Sequence, residues 1–190
     1  VLSSGCGGES DAGPGLPPDS VRGDGIVSGR VTLLGPPPPR LPVKNEPCHA
    51  AAKPILDETV VVGPDGGLAN VFVYIEGGPR VDGRSLAPVT LDQVNCQYVP
   101  HVVGVTVGQP LLVKSSDPTF HNTHYTPRKN PAENFGLRDA GHVKTIRFSV
   151  AEIFHVRCDV HPWMSAYIGV FDNPFFAATG EDGRFRLDGL

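Results

Sequence analysis

Short apolar runs recur along the chain and are separated by glycine, proline and polar residues. In residues 145–150, Ile146, Phe148 and Val150 alternate with polar neighbours, which predicts a strand with one face on a core. Comparable runs lie at residues 25–33, 60–62, 68–75, 89–91, 102–107, 111–114, 153–157 and 167–171. No segment has the period of a convincing amphipathic helix. Short strands with turn signals between them predict an all-β, Greek-key β-sandwich.

Turn signals indicate how these runs connect. Residues 102–107 and 111–114 are separated by Gly108 and Gln109, which predicts a hairpin. Residues 126–142 are polar with scattered proline and glycine and predict mostly a loop. The 23 glycines and 20 prolines among 190 residues agree with a turn-rich β protein.

The candidate chemistry is concentrated in one short loop. Cys158, His161 and Met164 follow the spacing C-x2-H-x2-M, and Met164 is the only methionine of the chain. With His121 upstream, they supply two imidazoles, a thiolate and a thioether, the ligand set of a mononuclear copper electron-transfer site. Zinc is less suited because it seldom takes methionine as a ligand and is bound instead by Cys, His or carboxylates. Each residue alone is more often core packing, but their grouping between two apolar runs favours a metal.

These residues resemble the ligand motif of the cupredoxins, the blue copper proteins. The loop is closest to the amicyanin type, which also reads Cys-x-x-His-Pro-aromatic-Met, and the pair His121-Asn122 matches as well. The likeness covers about residues 99–173. It implies a cupredoxin-like sandwich that holds one copper ion, Cu(I) or Cu(II). The implied ligands are His121, Cys158, His161 and Met164, supported by Asn122, Pro162 and Trp163.

The flanks of this region carry a second resemblance. Residues 60–173 resemble bacterial periplasmic plastocyanin-like proteins with a carboxypeptidase-regulatory-like flanking segment, through residues 68–74 and 158–167. Residues 180–190 resemble the opening hairpin of such a module. We expect four parts: a lipoprotein-like N-terminus and disordered tether at 1–24, an N-terminal β extension at 25–95, a copper-binding core at 96–175, and the start of a regulatory-like hairpin at 176–190.

Together these features predict a type 1 (blue) copper protein that shuttles single electrons between periplasmic or membrane-bound partners. We do not expect an enzyme, because no nucleophile–base arrangement stands out and a four-ligand copper leaves no open position. The net charge of −4 gives no basic footprint for nucleic acid. It suits a basic redox partner such as a c-type cytochrome, or a membrane respiratory or photosynthetic complex. Two alternatives stay open: a copper-binding or delivery protein, and a structural β-sandwich interaction module with a non-redox site.

The other three cysteines bear on location. Cys48 and Cys96 are candidates for a disulfide, which would indicate an oxidising compartment; a second metal site at Cys48 and His49 is the alternative. The small residues before Cys6 resemble the end of a bacterial lipoprotein signal and predict a lipid anchor, with an ordinary free cysteine as the alternative. The expected location is therefore periplasmic or extracytoplasmic.

A further imidazole, His124, lies three residues after His121. The segment around it is not helical, so both rings are not expected to face one metal. We predict that His121 binds copper and that His124 points away, toward solvent or a docking partner.

Overall fold

The computed structural model describes residues 23–43, 54–138 and 140–190. In these ranges the regular elements are thirteen strands and one 3-10 turn at Gly83–Ser85. The strands are β1 (Ile26–Arg30), β2 (Phe72–Tyr74), β3 (Val89–Val94), β4 (Gln97–Val99), β5 (Val102–Thr106), β6 (Leu111–Ser115), β7 (His121–Tyr125), β8 (Glu133–Leu137), β9 (Val143–Ile146), β10 (Glu152–Arg157), β11 (Ser165–Phe171), β12 (Phe176–Ala178) and β13 (Arg184–Asp188). The all-β prediction is confirmed.

Two sheets form the body of the molecule. One has five strands in the order β5-β11-β10-β7-β8, and the other has four in the order β4-β3-β6-β9. The chain crosses repeatedly between them, since β6 and β9 lie in the sheet opposite their neighbours in sequence. Apolar side chains from both sheets pack into one core, including Leu91, Leu111, Val105, Val156 and Ile168, all fully buried. The predicted β-sandwich is confirmed.

The hairpin predicted for residues 102–107 and 111–114 is wrong. β5 pairs in parallel with β11, whereas β6 pairs in parallel with β3 in the opposite sheet. The turn between them passes from one sheet to the other, and Gln109 fixes it by accepting from the Thr106 N–H and donating to the Ala87 carbonyl. The sequence pattern identified both strands but carried no information on their partners.

The loop predicted for residues 126–142 contains a strand. β8 pairs antiparallel with β7 over five residue pairs. A Cβ at its Gly136 would lie 2.6 Å from the exposed ring of Phe120, so the ring would have to shift to admit a side chain. Its polar residues and scattered glycines did not show the pattern of a strand, because this edge strand is only partly buried.

The two ends of the described chain pair with each other. β1 pairs antiparallel with β13, and β2 pairs antiparallel with β12. Strands of the predicted N-terminal extension therefore pair with strands of the predicted C-terminal hairpin, while β3, also within residues 25–95, lies in the four-stranded sheet. The division into four parts stays a prediction.

Some sequence-based expectations concern residues that the structure does not describe. Cys6, Cys48, His49 and most of the predicted tether lie outside the described residues. Within the described ranges, no helix is both long and apolar enough to cross a membrane.

Candidate metal centre

Three neighbouring strands bring the candidate ligands to one end of the five-stranded sheet. His121 is the first residue of β7, and residues 158–164 form the loop between β10 and β11. The loop is tightly closed: the Cys158 N–H donates to the Met164 carbonyl at 3.1 Å, and the Met164 N–H donates to the His161 carbonyl at 2.9 Å. The sandwich therefore sets the position of this loop relative to His121.

The side chains of His121, His161 and Cys158 converge. The two Nδ1 atoms lie 3.0 Å apart, and the Cys158 Sγ lies 3.8 Å from the Nδ1 of His161. Two nitrogens bound to one metal at zinc-like bond lengths near the tetrahedral angle would lie about 3.3 Å apart, and a thiolate sulfur about 3.6–3.8 Å from either. The observed spacings are close to those that a shared metal ion requires.

A buried carboxylate holds the imidazole of His121 from behind. Asp117 is 6% exposed, and its Oδ2 lies 2.8 Å from the Nε2 of His121. The same carboxylate accepts from the backbone N–H groups of Asn95 at 2.7 Å and Cys96 at 2.8 Å. With Nε2–H donating to Asp117, the Nδ1 of His121 carries a lone pair that faces the other ligands, the tautomer that a metal needs.

Asn122 connects the two ligand-bearing segments. Its Oδ1 accepts from the Asp159 N–H at 2.7 Å and lies 3.2 Å from the Cys158 Sγ. Its Nδ2 donates to Asn134 and Asp159. A side chain on β7 therefore fixes the start of the loop that follows β10.

The electrostatic environment favours a thiolate next to an imidazole. Burial raises the pKa of the Cys158 thiol, but hydrogen bonds with His121 and with the backbone around Asn122 and His161 lower it by more. Burial lowers the pKa of His121, but its hydrogen bonds with Cys158 and Asp117 and their charges raise it by more. The thiolate is the form of cysteine that binds metals.

A second sulfur lies near the histidines. The ligand atoms of Cys96, His121 and His161 all fall within 4.8 Å of one another, and this group, which does not include Cys158, could hold a metal ion. Cys158 is a free thiol, whereas Cys96 is not among the free cysteines of the described residues. Because a metal ligand must be a thiolate, Cys158 is the better donor of the two.

Met164, Trp163 and Pro162 complete the loop. Met164 is 1% exposed and belongs to the sandwich core. Trp163 lies against the His161 ring, with centroids 5.2 Å apart, and its Nε1–H donates to the Cys96 carbonyl at 3.1 Å. Pro162 is exposed. Trp163 thereby connects the loop to the turn between β3 and β4.

His124 lies in a different set of contacts. Its Nδ1 is 2.9 Å from both carboxylate oxygens of Asp159 and 3.2 Å from a guanidinium nitrogen of Arg157. These contacts agree with the expectation that His124 lies outside the ligand set, which stays a prediction.

Two residues at this site were missed from the sequence, Asp117 and Tyr98. Asp117 had one local signal, its position four residues before the candidate ligand His121. Tyr98 had none, because it reaches the site across the sandwich from β4.

Comparison with known proteins gives limited help. No protein-family model and no curated protein matches the chain. Similar solved structures include a copper-containing nitrite reductase from Thermus scotoductus SA-01, with 20% identity, 53% of this chain and 25% of that chain covered, and a TM-score of 0.40. They also include a purple cupredoxin from Nitrosopumilus maritimus (19% identity, 44% and 98% covered, TM-score 0.37) and an amicyanin mutant in the Cu(I) form (14% identity, 52% and 97% covered, TM-score 0.40).

The chain thus spans only a quarter of the nitrite reductase. With identities of at most 20% and TM-scores of at most 0.40 in these three, the likeness carries no functional assignment. The identity of the metal is therefore inferred from the types of side chain at the site.

Proposed function

We propose that this protein is a mononuclear type 1 copper protein that transfers single electrons. The observation that carries the proposal is the convergence of the two imidazole Nδ1 atoms of His121 and His161, 3.0 Å apart, on the free Cys158 thiol. A site of two histidines and one cysteine with a weak thioether is the typical blue-copper arrangement. We assign His121, Cys158, His161 and Met164 as the ligands, with Met164 as the weak fourth donor.

Copper, when bound, supplies the one-electron Cu(I)/Cu(II) couple. The contribution of the protein is a site whose donors are fixed before the metal binds, since His121 is held by Asp117 and Cys158 by Asn122. Donors that hardly move between oxidation states lower the reorganisation that accompanies electron transfer. Four occupied positions leave none for a substrate, so we propose a carrier rather than an enzyme.

The surface around His161 supports brief docking of a redox partner. His161 is only partly buried, and its chain neighbours Val160 (49% exposed) and Pro162 are exposed and apolar, as is Phe120 (42% exposed) next to His121. Transient redox complexes use small interfaces of this kind. We propose a c-type cytochrome or a membrane redox complex as partner, in the periplasm or another extracytoplasmic compartment, with Cys6 as a lipid anchor.

We also propose that Cys96 is joined to Cys48 by a disulfide. Cys96 is buried and is not among the free cysteines of the described residues, and Cys48 is the cysteine that the sequence offers in a similar loop-like setting. Trp163 donates to the carbonyl of Cys96, so such a bond would also support the ligand loop.

The test of the function is metal content combined with redox titration. The purified protein should bind one copper per chain and undergo a reversible one-electron titration, while zinc should compete weakly. Tight binding of zinc with no redox-active copper would contradict the proposal. Copper that is bound but transferred quickly to a chelating acceptor would favour delivery instead.

A further inference from the structure

Tyr98 connects the two sheets at the level of the metal centre. It lies in β4, at the edge of the four-stranded sheet, and is 1% exposed. Its hydroxyl lies 2.6 Å from the Asn122 carbonyl and 3.2 Å from the Arg157 carbonyl, both in the five-stranded sheet. One phenol proton is thus shared between two backbone acceptors.

These two acceptors adjoin the candidate ligands. Asn122 directly follows His121, and Arg157 directly precedes Cys158. The strands that carry them, β7 and β10, are paired only at Val156 with Tyr125 and Arg157 with His124. The backbone pairing between these two strands ends before it reaches His121 and Cys158. The relative position of the two ligand-bearing segments therefore depends on side chains.

Burial raises the pKa of Tyr98, which keeps its hydroxyl protonated as a donor. The neighbouring Gln93 also spans the sheets, since its Nε2 donates to the Thr123 hydroxyl at 3.0 Å. Neither group touches the converging donors. Tyr98 contacts the backbone of β7 and β10 behind these donors, whereas Gln93 contacts a side chain of β7.

We propose that Tyr98 is a positioning residue of the metal centre, whose hydroxyl fixes the distance between the His121 and Cys158 segments. This inference rests on the proposed copper function and deepens it. A buried hydroxyl with two carbonyl acceptors is a rigid connection, because losing it leaves buried polar groups unpaired. The ligand spacing would then be free to relax.

The test compares Tyr98→Phe with Tyr125→Phe. Both changes remove one buried tyrosine hydroxyl next to β10, but Tyr125 is four residues from His121 and its hydroxyl contacts Glu133 on β8. For Tyr98→Phe we expect copper affinity to fall about tenfold, the effect of losing an outer-shell partner, and the relative intensities of the thiolate-to-copper bands to change. For Tyr125→Phe we expect the affinity to change less than about twofold and the spectrum to stay the same.

Rescue makes the test independent of folding. Incorporation of 4-aminophenylalanine at position 98 restores an N–H donor at the same place, and should return the affinity and spectrum toward wild type. A Tyr98→Phe protein that kept the wild-type copper affinity and spectrum would overturn the inference. So would a folded protein with 4-aminophenylalanine at position 98 that recovered neither. A wild-type protein without thiolate-to-copper bands would overturn the copper function itself, which separates the two failures.

Discussion

Replacing Asp117 by Asn should damage the metal centre without removing any ligand. The Asp117 carboxylate accepts three hydrogen bonds, from the Nε2 of His121 and the N–H groups of Asn95 and Cys96. An asparagine has one acceptor oxygen, so its NH₂ group must face at least one of these donors. It can also donate to Nε2, which moves the imidazole proton to Nδ1, where the metal should bind.

The magnitude follows from these contacts. A hydrogen bond to a charged group contributes about 1.5–3 kcal/mol, so one lost and one opposed bond should lower the free energy of unfolding of the apo-protein by about 2–4 kcal/mol. Loss of a carboxylate behind a metal-binding histidine weakens metal affinity by about 10–100-fold. The two effects are separable, because the first is measured by urea unfolding without metal and the second by competitive copper titration.

Asp92→Asn is the matched control. It removes the same charge nearby, but the Asp92 carboxylate contacts Lys114 at 2.9 Å and the Ser116 hydroxyl at 2.8 Å. Its copper affinity should stay within about threefold of wild type, well below the loss expected from an outer-shell partner. An Asp117→Asn protein that binds copper as tightly as Asp92→Asn would refute the assigned role of Asp117.

Three further predictions address other parts of the account. His121→Ala should lose or grossly alter the copper spectrum and His124→Ala should leave it almost unchanged; damage from both would indicate a fifth ligand. Cys48 and Cys96 should be found disulfide-bonded by mass spectrometry, with a contribution of about 2–4 kcal/mol to the free energy of unfolding; two free thiols in protein from an oxidising compartment would exclude the bond. Glu152 accepts from the backbone of residues 128–130, and although burial raises its pKa, these hydrogen bonds lower it by more. The stabilisation that the Glu152 carboxylate contributes should therefore be complete above the unfolded pKa of about 4.5 and lost as the pH falls through the folded pKa. Glu152→Gln should lower the free energy of unfolding by about 1–3 kcal/mol at neutral pH. Urea unfolding at a series of acid pH values should show this difference from wild type shrinking, and a constant difference would contradict the prediction.

The strands of the core and the ligand loop could be predicted because their signals are local. Alternating apolar residues identified β10 and β11, and the loop between them contains Cys158, His161 and Met164. The same pattern did not identify β7, which begins at His121, because residues 121–125 are mostly polar. Strand and loop positions are set within a few residues, so a single sequence contains them.

Strand partners and supporting residues could not be predicted in the same way. The pairing of β1 with β13 joins segments more than 150 residues apart, and the separation of β5 from β6 depends on the turn at Gln109. Asp117 and Tyr98 act through contacts with the backbone and imidazole of other segments. Such contacts exist only once the two sheets have packed, and the spacing of Asp117 from His121 was the single local signal for either residue.

The central claim is that Cys158 binds copper as a thiolate, and the visible spectrum of the copper-loaded protein tests it most directly. Wild-type protein should show an intense thiolate-to-copper charge-transfer band. Cys158→Ser should lack the band, because a serine oxygen is hard and cannot donate as the sulfur does. A wild-type protein with no such band, or a Cys158→Ser protein that keeps it, would contradict the account.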